Sequence, residues 1–211
     1  MNINILTDNP KSWFIPYGEI LRRKLDKQGH KVNYVFNKKD LIHSEITFLL
    51  SCTQIIESQF LKRSEKNVVI HASDLPQGKG FSPMQWQILE GKNEIVLSAI
   101  EATEAADEGP IYLKESLRFD GTELYQELRE KLGSSIIQMA CQLVNRIQSI
   151  VPEEQKGIES FYRRRTTADD ELDPGKSIAE QFNHLRIADN GSHPLYFYFN
   201  SEKYYLRIEK E

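Results

Sequence analysis

The sequence predicts an α/β fold, Rossmann-like in having a doubly wound, mainly parallel sheet, with a small C-terminal extension of a helix and a β-hairpin. Three observations carry that expectation. Compact apolar runs rich in β-branched and aromatic residues recur at 3–6, 32–36, 46–50 and 68–70, and such runs suit strands buried on both faces. Segments of helical spacing fall between them, giving the β-α-β alternation of an open wound sheet. The chain has 211 residues, 39% hydrophobic and 10% aromatic, enough for one such core and an appendage.

The run 3–6 opens the chain and leads into Thr7-Asp-Asn-Pro-Lys-Ser, a cluster of turn and capping residues. From 14 to 27, Phe14, Tyr17, Ile20, Leu21 and Leu25 keep roughly helical spacing, and Gly29 closes that helix as a C-terminal cap. Ile55, Ile56, Phe60 and Leu61 allow a short helix before the run 68–70. Residues 72–82 are turn-rich, with Asp74, Pro76, Gly78 and Gly80, and 84–90 reads as a short helix ended by Gly91. Two further strands, 95–100 and 111–117, flank an acidic loop at 101–109. A long amphipathic helix follows, with Leu124, Leu128, Leu132, Ile136, Ile137, Ala140, Leu143, Val144 and Ile147 in phase. It is expected to start near Asp120 and to run almost to Pro152. Residues 152–157 then read as a polar linker, which suggests a main domain over 1–150 and a small extension over 151–211 packed on it. The extension holds Arg163-Arg-Arg beside Asp169, Asp170 and Glu171. It continues with a helix at 177–187, capped by Ser177 and Glu180, and an aromatic hairpin from 195–199 to 204–208.

Lys and Arg number 27 against 31 Asp and Glu, a net charge of −4. A nucleic-acid partner would demand a basic excess to meet its phosphates, so none is expected. No apolar run approaches the ~20 residues of a membrane helix, and the first residues lack the basic stretch of a signal peptide. Cys52 and Cys141 form no disulfide framework, and no metal is expected. A cytoplasmic protein is the default.

His71 follows the apolar run Val68-Val69-Ile70, at the carboxyl end of a predicted strand, where open α/β sheets bind ligands. A histidine there can move protons near neutral pH, although the same position suits a strand-capping histidine. Asp107 lies in the loop before the strand 111–117, where a carboxylate near an imidazole would fix its tautomer. Around them stand His71, Ser73, Leu75, Pro76, Gly80, Pro83, Ile88, Gly91, Asp107, Gly109 and Ile111. These residues in this order resemble the catalytic core of the folate-dependent formyltransferases. That family includes methionyl-tRNA formyltransferase, glycinamide ribonucleotide formyltransferase and the sugar-nucleotide N-formyltransferases. The resemblance extends more loosely over residues 1–150 and implies the fold of that family.

The resemblance implies transfer of the formyl group of 10-formyltetrahydrofolate to an amine through a tetrahedral intermediate. His71 would face the developing oxyanion, while Asp107 would orient His71 and relay the amine proton through water. The folate pterin would lie against the backbone of Ser51 and Cys52 and of a second loop holding Ala102, Thr103 and Asp107. One departure is plain: the family's asparagine two residues before the histidine falls on Val69, which cannot donate a hydrogen bond.

The stretch Gly78-Lys-Gly-Phe-Ser-Pro-Met-Gln-Trp, with Thr7-Asp-Asn-Pro-Lys-Ser-Trp, is similar to the branch acting on UDP-linked 4-amino sugars of pseudaminic acid-type pathways. The 61 residues beyond 150 resemble the tails of sugar N-formyltransferases and leave no room for the large barrel that helps hold tRNA. A nucleotide-linked amino sugar is therefore the expected substrate. Around it we expect Asp8, Asn9, Ser12, Trp13, Ser73, Lys79, Gly80 and Phe81, with Arg163, Arg164 and Arg165 suited to its diphosphate. The same arginines equally suit surface pairing with residues 169–171. Formylation of another amine, such as an aminoacyl carrier, stays open, as does a binding module that has lost catalysis at Val69. A homodimer through the aromatic hairpin is a further expectation.

Overall fold

A computed structural model of the chain describes residues 1–211. Strands β1 (Asn2–Leu6), β2 (Lys31–Val35), β3 (Ser44–Leu49) and β4 (Ser64–His71) form a parallel half-sheet in the order β2-β1-β3-β4. Helix α1 (Ile15–Lys27) and the single turn α2 (Ser58–Leu61) belong to its crossovers. After a short β5 (Lys79–Gly80) outside this sheet and helix α3 (Pro83–Leu89), strands β6 (Glu94–Glu101) and β7 (Ile111–Arg118) extend it beyond β4. Both added pairings are antiparallel. The link between β6 and β7 holds no helix and is too short for a parallel crossover, so the chain turns straight back. The sheet is thus parallel over its first four strands and antiparallel at its far edge.

Helix α4 (Tyr125–Arg146) packs with α1 on one face, burying Ile5, Phe14, Leu21, Phe48, Leu128 and Ile137. The other face carries a smaller cluster of Leu6, Val35, Leu41, Leu49, Ile56 and Phe60. Gly29 ends α1 as expected, at φ +86°, and the His30 N–H reaches back to the Leu25 carbonyl at 3.2 Å. Helix α4 starts later than its apolar period suggests. The Glu123 carboxylate takes the N–H groups of Asp120 (2.7 Å) and Gly121 (3.0 Å) and holds them in a loop.

In the last sixty residues, β8 (Phe161–Tyr162) pairs in parallel with β5. Helix α5 (Phe182–Arg186) precedes the hairpin β9 (Leu195–Phe199) and β10 (Glu202–Leu206). Asn200 and Ser201 both take positive φ in its two-residue turn. The Ser177–Glu180 cap forms, yet the helix is confined to 182–186. Ile178 faces solvent, so the first turn has no apolar contact to hold it. Arg186 is buried and ties this region to the sheet domain through Glu123 Oε2 (3.2 Å) and Asn93 Oδ1 (2.8 Å). No helix is long and apolar enough to cross a membrane.

Candidate active site

The carboxyl ends of β3, β4 and β6, with Trp13 from the segment after β1, line one cleft of about 660 Å³. His71, the last residue of β4, stands at its base and is 8% exposed. Its Nε2 lies 2.8 Å from the Gly78 carbonyl, and its Nδ1 lies 3.4 Å from Asp107 Oδ1. A carbonyl and a carboxylate only accept, so whichever ring nitrogen carries the proton has an acceptor facing it.

Asp107 sits at φ +58°, and its Oδ2 accepts the Gly80 N–H at 2.9 Å. Gln155 fixes this loop from the C-terminal side, its Nε2 donating to the carbonyls of Asp107 (2.8 Å) and Gly109 (2.9 Å). Two residues after Asp107, a Cβ at Gly109 would lie 1.7 Å from the Glu101 carbonyl oxygen, so only glycine lets the loop close on β6. Gly80 adopts φ +98° against the Tyr162 carbonyl, where β5 meets β8.

The cleft straddles the sheet edge. Alternation along β4 places Val69 with the small cluster on one face and Ile70 with the main core on the other. A first lobe, on the Val69 side, is walled by Leu49, Cys52, Ile56, Val69 and Ala102. The backbone N–H and C=O groups of Ser51, Cys52 and Thr103 at its rim make no internal hydrogen bond. Burial pushes the Cys52 thiol up to about 12, which makes it a packing group rather than a nucleophile. The second lobe, on the main-core side, is walled by Trp13, Met84, Arg129, Leu132, Ile136 and Arg164. His71 and Asp107 stand where the lobes meet.

The expected residues divide accordingly. Ser51, Cys52, Ala102 and Thr103 line the cleft together with His71 and Asp107, as do Trp13, Gly80, Phe81 and Arg164. Others are used up in building its walls. The Asp8 carboxylate caps the N–H groups of Thr53 and Gln54, Asn9 takes the Lys11 N–H, and the Ser12 hydroxyl bonds that of Ser51. Ser73 is 1% exposed and lies behind Gly78, outside the cleft wall. Lys79 is buried under the C-terminal strap, its ammonium 2.7 Å from Glu159 and 3.8 Å from Glu108. Arg163 pairs with Asp169 and Arg165 with Asp170, so of the three consecutive arginines Arg164 alone reaches the cleft.

Arg129 and Gln155 were not expected from the sequence. Gln155 lies in a polar stretch with no local signature. Arg129 carried a signal, since it stands three and seven residues before Leu132 and Ile136 and shares their helix face.

The formyl transferase family matches residues 10–140 of this chain, spanning every strand of the main sheet except β1, both site loops and most of α4. The chain belongs to that family. Among its relatives, methionyl-tRNA formyltransferase of Thermosipho melanesiensis is 29% identical over 168 residues, covering 79% of this chain and 52% of that protein. The chain spans 38% to 59% of the length of the curated methionyl-tRNA formyltransferases it matches. The fold is that of HypX from Aquifex aeolicus in complex with tetrahydrofolic acid, at TM-score 0.81 and 13% identity, covering 95% of this chain and 36% of that one. It is also that of a sugar N-formyltransferase from Shewanella, at TM-score 0.74 and 16% identity, covering 100% of this chain and 98% of that one.

Proposed function

We propose that this formyl transferase moves the formyl group of 10-formyltetrahydrofolate onto the amine of a nucleotide-linked amino sugar, a UDP-linked 4-amino sugar being the first candidate. The observation that carries the reading is the His71–Asp107 pair at the junction of the two lobes. The co-substrate supplies an electrophilic formyl carbon when bound. The first lobe fits it: flat apolar walls suit a pterin ring, and the unpaired backbone groups of Ser51, Cys52 and Thr103 suit its polar edge. A related fold holds tetrahydrofolic acid.

Attack by an amine builds negative charge on the formyl oxygen and positive charge on nitrogen. His71, at the cleft base with its Nδ1 held only loosely by Asp107 at 3.4 Å, is the side chain placed to turn an N–H toward the former. Asp107, fixed by Gly80 and Gln155, is placed to take the amine proton directly or through one water. Val69 contributes only an apolar wall, so the stabilising donor is His71 itself.

A sugar-nucleotide substrate follows the sugar N-formyltransferase of like fold, and a methionyl-tRNA formyltransferase from Clostridium thermocellum shares that fold over 96% of this chain and 90% of its own. A second reading, with the amine of an aminoacyl carrier as formyl acceptor, is favoured by the names of the sequence relatives. The net charge of −4 weighs against tRNA. The test is turnover with 10-formyltetrahydrofolate and a panel of UDP- and dTDP-linked amino sugars, with methionyl-tRNA as comparator. Gain of one formyl group by one sugar supports the proposal. Formylation of methionyl-tRNA alone would replace the substrate, and binding of both ligands without product would replace catalysis by a binding role.

A further inference from the structure

The second lobe contains a feature the reaction at His71 does not use. Its two charged wall residues, Arg129 and Arg164, are both cations, in a chain whose net charge is negative. Arg129 projects from the second turn of α4, its guanidinium 4.0 Å from the Tyr125 ring centroid and 5.5 Å from that of Trp13. Its nearest carboxylate oxygen, on Asp189, is 3.9 Å away, beyond hydrogen-bonding range. That carboxylate is already engaged by Ser192 and the Gly191 N–H. Arg164 stacks at 4.3 Å over Phe81 and makes no ion pair, although both its neighbours in sequence do.

We propose that Arg129 and Arg164 are the two prongs of an anion clamp that holds the diphosphate of the substrate's nucleotide in the second lobe. This rests on the sugar-nucleotide reading and names the residues that would select it. The aromatic faces of Tyr125 and Phe81 hold each guanidinium by its plane, which leaves N–H groups of each fork available to phosphate oxygens. The prongs come from opposite sides, one from the sheet domain and one from the C-terminal strap after β8. A ligand with two adjacent phosphates can satisfy both, while a neutral nucleoside satisfies neither. The sheet lies between these prongs and the apolar first lobe, so the clamp orients the substrate's nucleotide away from the folate.

The test is calorimetric titration of the full chain with UDP, uridine and tetrahydrofolate separately, for wild type, Arg164→Ala and Arg129→Gln. Each charge-assisted pair lost is expected to weaken UDP binding by about tenfold or more. Uridine should bind more weakly than UDP and equally in all three proteins, and tetrahydrofolate should be unaffected. Arg164 is exposed, so its variant reports even if Arg129→Gln impairs folding. Unchanged UDP binding in Arg164→Ala, or UDP binding no tighter than uridine, would overturn the clamp. So would weakened tetrahydrofolate binding, which would assign the arginines to folate carboxylates. A clamp that behaves as expected in a protein that formylates no sugar would instead overturn the proposed reaction and leave the anion site standing.

Discussion

The two lobes of the cleft share one sheet edge but are built from opposite kinds of material. The first is made by strand ends and tight loops, with apolar walls and unpaired backbone groups at Ser51, Cys52 and Thr103. The second is made by α4, α3 and the C-terminal strap, with aromatic side chains and two guanidinium groups stacked on them. Backbone and apolar walls read the outline of a flat ring, whereas fixed charges on aromatic faces read an anion. A reaction between a donor with a flat, neutral pterin ring and an acceptor carrying a diphosphate needs one of each, meeting at a proton-handling pair.

The largest expected effect falls on the junction. His71→Asn and Asp107→Asn should each lower kcat by about 10²–10⁴ while KM for folate and for the sugar nucleotide change little. A near wild-type rate in either variant would remove the junction from the chemistry. Next comes the joint that ties α5 to the sheet domain, where Glu123 pairs with buried Arg186 and with Lys131 at 2.5 Å. Burial alone would raise the Glu123 carboxyl, but Lys131 and the N–H groups of Asp120 and Gly121 hold it at about 2, against an ordinary 4.5. A carboxyl depressed by that much contributes about 3 kcal/mol above its unfolded value, lost as pH falls from 4.5 towards 2. Glu123→Gln should therefore lower stability by roughly that amount at pH 7 and lose its disadvantage near pH 2, as read by denaturant titration across pH. An equal deficit at both pH values would contradict this origin.

A smaller effect separates neighbouring arginines. Arg164→Ala should raise KM for the sugar nucleotide by about tenfold, while Arg163→Ala, whose charge is spent on Asp169, should leave it nearly unchanged. Equal effects would make the arginine run a diffuse patch rather than a clamp. The smallest effect concerns the first lobe. With its thiol pushed up to about 12, Cys52 should resist iodoacetamide at pH 8, and Cys52→Ser should retain turnover. Rapid loss of activity on alkylation at that position would show the lobe wetter and the thiol more reactive than its burial allows.

The parallel half-sheet was legible because compact apolar runs recur at 3–6, 32–36, 46–50 and 68–70, and α4 because its apolar period is unbroken from Leu124 to Ile147. His71 and Asp107 were legible through the ordered run of residues from His71 to Ile111 that resembles the formyltransferase core, in which Gly109 is the one residue that lets the loop close on β6. The turn of β6 and β7 against β4 was not legible, since parallel and antiparallel strands share one local pattern. Lys79 and Arg165 illustrate a second limit. A cation's sequence neighbours do not reveal its partner, and Glu159 lies eighty residues from Lys79. Burial of an ion pair is a property of the folded surface, so the same run of arginines yields two spent charges and one free.

The central claim is that two ligands approach His71 and Asp107 from opposite faces of the sheet. A crystal structure of the full chain with 5-formyltetrahydrofolate and UDP tests it most directly. The account predicts the pterin against Leu49, Cys52, Val69 and Ala102, and the diphosphate between Arg129 and Arg164, with His71 and Asp107 between them. A pterin seated on Trp13 and Leu132, or a diphosphate held on the Val69 side, would contradict it.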